Sequence, residues 1–222
     1  MNVVYGICVY YGYYRPNNIK QHLHKYNSLV SYYPHITFSF FVNLMIDSKD
    51  SIERDSIATN VKASFQQPMT VLHNYNWGGT IVGLCDTYEY MQRNHLHDHH
   101  IIYFEEDFYY MNIRFLEKSI ELLPSYDYIG EVTRDTPQVK TRTRNGEDQV
   151  WTDGGYYMSS YTKFDTMYRA VGCFHKGNKD TKYEHQLDGI ELGEVGFPTL
   201  IYTAGFRFIG LPRAEYFIHN EH

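Results

Sequence analysis

Ile101-Ile102-Tyr103-Phe104-Glu105-Glu106-Asp107 runs four apolar residues, all aliphatic or aromatic, straight into three carboxylates. The apolar part reads as a buried strand. The acidic part needs compensation, because like charges at one strand end repel. A hard divalent cation supplies it well, since it takes oxygen ligands and also bridges phosphates. If the strand continued, Glu105 and Asp107 would project to one face. The plain alternative is an acidic turn bathed in solvent.

Working outward, strands alternate with helices. Asn2 to Tyr10 is β-branched and aromatic and ends before Gly12 and Pro16, a first strand. A helix is expected from about Asn18, with Ile19, Leu23, Tyr26 and Val30 on one face. Residues 36–46 form a second strand, and Met69 to Asn74 a third. Residues 47–67 are polar and hold at most a short helix. A helix from about Thr80 places Ile81, Leu84, Cys85, Tyr88 and Met91 inward. The acidic strand is the fourth. Asn112 is a helix N-cap before Ile113, Leu116, Ile120 and Leu123. Residues 126–132 are a fifth strand. The polar stretch 133–150 is expected to be a mobile loop. Phe164, Met167, Tyr168 and Val171 mark a helix, and Leu187, Ile190 and Val195 another. Residues 199–211 read as a last strand. This order predicts an α/β fold, a single mostly parallel sheet with helices on both faces. Ligands of such sheets bind at the carboxyl ends of the strands, here near residues 10–15, 74–79 and 105–107.

Composition narrows the function. The chain has 222 residues, 43% hydrophobic and 21% charged, which is enough for a core and excludes disorder of the whole chain. Its net charge of -6 is opposite to that of a nucleic-acid binder, so no nucleic-acid partner is expected. Cys8, Cys85 and Cys173 are odd in number and form no CxxC, which suits a reducing compartment. No run has the length of a membrane helix, and no basic-then-apolar leader opens the sequence. A cytoplasmic location is the expectation. The 23 tyrosines offer flat faces and hydroxyls suited to sugars and bases, although ordinary cores use them too.

Other stretches could carry chemistry. Asn76-Trp77-Gly78-Gly79-Thr80 is a glycine turn into a helix, where backbone can approach an anion. It is neither a GxGxxG nor a P-loop. Tyr10, Tyr11 and Arg15 follow the first strand and could stack on a base and meet a phosphate; a surface aromatic cluster is equally open. Asp188, Glu191 and Glu194 share one face of the expected helix. His95, His97, His99 and His100 alternate as zinc ligands can, without an HExxH spacing. A solvated loop is the default there.

The order of these features resembles the GT-A family of nucleotide-sugar glycosyltransferases, over nearly the whole chain. That resemblance implies one GT-A domain over 1–222, with a nucleotide-binding half (1–110) and an acceptor-side half (111–222), alone or as part of a longer polypeptide. Glu105-Glu106-Asp107 takes the place of the family's DxD motif, which holds Mn2+ or Mg2+ against the donor diphosphate. Asp107 corresponds to the surer metal ligand, with Glu105 beside it and a late histidine, His219 in preference to His222, as a further one. Donor contacts are implied for Tyr10, Tyr11, Arg15, Asn74, Asn76, Gly78, Gly79, Glu105 and Glu106. Asp153 begins a glycine-containing acceptor-side segment, Asp153-Gly154-Gly155. Asp188 stands in an ED-like motif whose glutamate is Leu187 here. Asp188 and Asp153 are the implied candidates for a base. More narrowly, the sequence is similar to the small transferases of chloroviruses. That likeness implies a UDP-sugar donor, a glycan acceptor on a capsid glycoprotein, action in the host cytoplasm and a retaining course. The alternatives are a sugar nucleotidyltransferase, for which Gly12-Tyr13-Tyr14-Arg15-Pro16 is a poor phosphate-gripping loop, and a carbohydrate-binding module without catalysis.

Overall fold

The computed structural model describes residues 1–13, 16–75, 79–133, 139–144, 147–171, 186–187, 190–191 and 196–219. In chain order the strands are β1 (Asn2–Tyr10), β2 (Thr37–Ile46), β3 (Thr70–Tyr75), β4 (His99–Glu105), β5 (Phe108–Tyr110), β6 (Tyr128–Val132), β7 (Lys140–Arg144), β8 (Glu147–Trp151), β9 (Asp153–Ser160), β10 (Gln186–Leu187), β11 (Ile190–Glu191), β12 (Phe208–Pro212) and β13 (Phe217–His219). The helices are α1 (Pro16–Tyr32), α2 (Ser51–Ala63), α3 (Gly79–Arg93), α4 (Phe115–Leu122), α5 (Tyr161–Val171), α6 (Gly196–Thr203) and α7 (Arg213–Tyr216).

One seven-stranded sheet runs in the order β12-β6-β9-β4-β1-β2-β3. β1, β2, β3 and β4 are mutually parallel, and β9 runs antiparallel between β4 and β6. The expected α/β architecture, a mostly parallel mixed sheet with helices on both faces, is the one observed. Strand alternation explains it: Val3, Tyr5, Ile7 and Val9 enter one apolar layer, while Val4 and Cys8 enter the other. The first layer includes Ile19 and Leu23 of α1, Ala58 and Val61 of α2 and Phe115 of α4. The second includes Leu84 of α3, Phe164 of α5 and Ile201 of α6. No helix among the described residues is long and apolar enough to cross a membrane.

Several expectations need correction. α1 begins at Pro16, whose ring suits a first helical turn. It buries Leu29, while Val30 is exposed. Asn112 precedes α4 by a turn, accepting the Arg114 N–H at 3.1 Å. The polar stretch 133–150 contains the antiparallel pair β7–β8, with Lys140 opposite Trp151. Val150 is buried, and its backbone N–H donates to the Thr199 hydroxyl at 3.1 Å. Leu187 pairs with Ile190 and Gln186 with Glu191, so these residues form two short strands rather than a helix. Glu191 therefore lies in a strand and not on the expected helix, while Asp188 and Glu194 lie outside the described residues. The expected strand over 199–211 is a helix, then a strand. α6 stops at Gly205, with φ of 89°. There the Phe206 N–H donates to the Ile201 carbonyl and the Gly205 N–H to the Tyr202 carbonyl, the glycine-dependent helix stop.

Candidate active site

β1 and β4 run side by side until Cys8 lies opposite Glu105. β4 ends there, and Glu106 and Asp107 turn the chain into β5. The extended strand that would have put Glu105 and Asp107 on one face therefore does not form. The Tyr10 N–H, beyond the end of that ladder, donates to Glu106 Oε2 at 3.2 Å. Glu106 is buried, so one of the three acids ties the loop after β1 to the acid turn.

The turn is also held from below. The buried Tyr109 hydroxyl donates to the Glu106 carbonyl at 2.8 Å. His22 of α1 lies 3.2 Å from the Glu105 carbonyl through Nε2 and 2.9 Å from the Tyr5 hydroxyl through Nδ1. A carbonyl only accepts, so Nε2 carries the proton and Nδ1 accepts from Tyr5. Burial is the main cause that pushes the His22 pKa down, to about 3, and the ring is neutral. Sequence reading passed over this residue. The signal was present: position 22 falls on the apolar face of α1 with Ile19, Leu23 and Tyr26.

β5 pairs antiparallel with β13, placing Phe108 opposite His219. As a result His219 Nε2 stands 3.5 Å from Asp107 Oδ2, with side-chain exposures of 33% and 16%. Sequence positions 107 and 219 thus meet. Two neighbouring ligands of an octahedral divalent cation, with bonds of about 2.1 Å, lie about 3 Å apart. The pair fits such an ion after a small adjustment. Among the described residues no group of three His, Cys, Asp or Glu converges on a metal position, so Glu105 does not complete a triad with them. Instead, the charge of Glu105 adds to burial in pushing the Cys8 thiol pKa up. Phe108 is seated over Gly155, where an added Cβ would lie 2.4 Å from the ring. The glycine of the Asp153-Gly154-Gly155 segment is what lets the acid turn rest on β9.

Asp153 occupies a different setting. It is buried and opposite Glu131 in the ladder. Its Oδ2 accepts the Thr133 N–H at 3.0 Å, its Oδ1 pairs with Lys140, and Arg213 is 3.6 Å away. Arg213 also makes a two-pronged pair with the fully buried Glu131, at 2.8 and 3.0 Å, and its guanidinium lies 5.3 Å from the Phe108 ring centre. Burial pushes the Glu131 carboxyl pKa up, and Arg213 opposes that. Arg213, Lys140 and Glu131 were not singled out from sequence; no short motif links positions 131, 140, 153 and 213.

Across the parallel strands, register aligns Tyr10 with Met45 and Met45 with Asn74. With strands about 4.8 Å apart, β1 to β4 present an edge of about 14 Å. Tyr10 and Tyr11 are both half-buried, Tyr10 against the α3 layer and Tyr11 against the α1 layer. Asn74 is tied to Asp86 at 3.2 and 3.3 Å, and its Oδ1 accepts the Tyr75 N–H at 2.8 Å. The loop after β1 touches the one after β2, since a Cβ on Gly12 would lie 3.2 Å from Asp47 Oδ2. Gly79 is the first residue of α3. Arg15, Asn76, Gly78, Asp188, His222 and Cys173 lie outside the described residues. His95 adopts φ of 56° and ends α3, its N–H donating to the Gln92 carbonyl, so the histidine run begins as a helix stop.

No protein-family model matches the chain, and no curated protein matches it. Solved structures do. The 4-diphosphocytidyl-2C-methyl-D-erythritol synthase structure aligns over 100% of this chain and 93% of its own, at 11% identity and TM-score 0.54. Mannose-1-phosphate geranyltransferase from Thermus thermophilus aligns over 95% of this chain and 73% of its own, at 9% identity and TM-score 0.56. At such identities the likeness is one of fold.

Proposed function

We propose that the protein is a metal-dependent glycosyltransferase that moves a sugar from a UDP-sugar to a glycan hydroxyl. The observation that carries this reading is the meeting of Asp107 and His219 at the carboxyl end of four parallel strands. These two side chains would hold Mn2+ or Mg2+, with substrate oxygens and water completing the shell. The imidazole favours Mn2+, the softer of the two. When bound, the cation offsets the charge that develops on the leaving diphosphate.

The chain's own groups supply the rest. Tyr10 and Tyr11 border the nucleoside, and Glu106 holds their loop against the acid turn. Asp153 is engaged by Thr133 and Lys140, which leaves it poorly placed to take a proton from an acceptor hydroxyl. That disfavours Asp153 as a base and leaves Asp188, outside the described residues, as the candidate for an inverting course; the retaining course, in which the departing phosphate assists attack on the same face, rests on the sequence resemblance. Titration of UDP with GDP and CMP in parallel, with and without Mn2+, tests the reading. UDP binding that needs Mn2+ and disappears in Asp107→Ala supports it; nucleotide binding indifferent to metal sinks it.

A second reading is a sugar nucleotidyltransferase. The likeness of fold to 4-diphosphocytidyl-2C-methyl-D-erythritol synthase, over the whole chain, favours it. Exchange of labelled pyrophosphate into a nucleoside triphosphate would select this reading over the first.

A further inference from the structure

We infer that His22 is a positioning residue for the nucleotide site, acting through the backbone of the Glu105-Glu106-Asp107 turn. The inference rests on the reading that this turn binds the substrate's diphosphate. Two successive carbonyls of the turn are held by buried side chains from different elements. The His22 imidazole of α1 takes the Glu105 carbonyl at 3.2 Å, and the Tyr109 hydroxyl of β5 takes the Glu106 carbonyl at 2.8 Å. The two side chains support each other, their ring centroids 4.5 Å apart. Tyr5 of β1 completes the array by donating to Nδ1 at 2.9 Å, which orients the imidazole so that its single proton faces the turn.

The arrangement has a mechanical purpose. β4 leaves its ladder with β1 at Glu105, so the turn beyond it lacks the strand pairing that holds residues 99–105. Neighbouring carboxylates at one turn tend to spread it apart by repulsion. His22 and Tyr109 hold it at the base through its backbone carbonyls. A neutral imidazole achieves this while buried. A lysine at the same place would bring a charge into an apolar layer, at far greater desolvation cost.

Three variants test this: His22→Phe, which keeps a ring but no donor; His22→Gln, which keeps a donor and an acceptor; and Tyr5→Phe with His22→Phe, which also removes the hydroxyl that the single change strands. Each is followed by amide hydrogen exchange over residues 105–110 without ligand and by UDP titration at saturating Mn2+. In His22→Phe, exchange in the turn should rise, and UDP affinity fall, by about tenfold, the size of one buried hydrogen bond lost. His22→Gln should restore most of both. The double variant should recover thermal stability and still show fast exchange and weak binding, because replacing both partners by apolar groups relieves the stranded hydroxyl. A role in packing alone would recover all three together, and that result overturns the inference. So does a folded His22→Phe with normal exchange and normal affinity. If His22→Phe does not fold, the double variant decides by the same readings. If the unaltered protein binds no nucleotide, the transferase reading fails; the exchange measurement still shows whether His22 holds the turn.

Discussion

Asp107 and Asp153 stand on the same edge of one sheet and meet opposite fates. Asp107 sits in a turn beyond β4, partly open, opposite the imidazole of His219. Asp153 sits at the start of β9, buried, with Lys140 on one oxygen and the Thr133 N–H on the other. Beside it the fully buried Glu131 has its own cation in Arg213. At Asp153 the protein has brought its own positive charges to the carboxylates. At Asp107 it has brought an imidazole, which in the proposed reading would share a metal with the carboxylate. The two settings are joined through Phe108, which rests on Gly155 and faces Arg213.

This comparison can be broken by mutation. The largest effect on stability is expected from Glu131→Ala, which removes the two-pronged partner of Arg213 and leaves it only the longer contact with Asp153. Removing one member of a buried pair costs about 3–5 kcal/mol, with the lower end expected here because Arg213 is 25% exposed. Urea unfolding measures it. If UDP binding also vanished in the folded variant, the network would belong to the site. Asp107→Ala should do the reverse: lose roughly a hundredfold or more in Mn2+-dependent UDP affinity by calorimetry, about 2.7 kcal/mol, with the melting temperature nearly unchanged.

Gly155→Ala joins the two regions, since its Cβ would press on the Phe108 ring. Overpacking of this kind costs about 1–3 kcal/mol, and Phe108→Leu in the same chain should return part of it. Additive losses in that double-mutant cycle would deny the contact. His219→Ala should weaken Mn2+ binding about tenfold and narrow the preference of Mn2+ over Mg2+. Equal losses for both ions would remove His219 from the metal's shell.

The last prediction concerns pH. The His22 pKa lies at about 3 in the folded chain against 6.5 as the ordinary value. Below pH 6.5 the unfolded chain takes up a proton that the folded chain refuses. Stability from this residue is therefore whole above 6.5 and falls as pH drops toward 3, at up to about 1.4 kcal/mol per pH unit. Unfolding curves at pH 7, 5.5 and 4.5 should show a shallower decline in His22→Phe. An unchanged decline would mean the loss comes from other groups.

Much of the first half was readable because its signals are local. β1, β2, β3, β4 and α3 lie within a residue or so of their expected bounds, since continuous apolar runs and helical spacing need no knowledge of neighbours. The second half was harder. In Lys140-Thr141-Arg142-Thr143-Arg144 polar side chains hide a strand that forms by pairing with β8. In Phe197-Pro198-Thr199-Leu200-Ile201-Tyr202 the apolar run suits strand or helix equally. The stop at Gly205 was the usable clue.

From the sequence alone came the acid-ended fourth strand and the α/β class; attention to position 107, and to His219 over His222, came from the resemblance to the GT-A family. Composition and spacing along a chain are enough for the strand and the class, because each depends on residues close together in sequence. Only the tertiary structure decided that the third strand-end acid meets residue 219, that Asp153 is taken up by Lys140 and Thr133, and that His22 supports the turn. Those facts depend on strand register and on the packing of α1 against β4. Both are set by contacts between distant segments, 83 residues apart for His22 and Glu105, which no local pattern records.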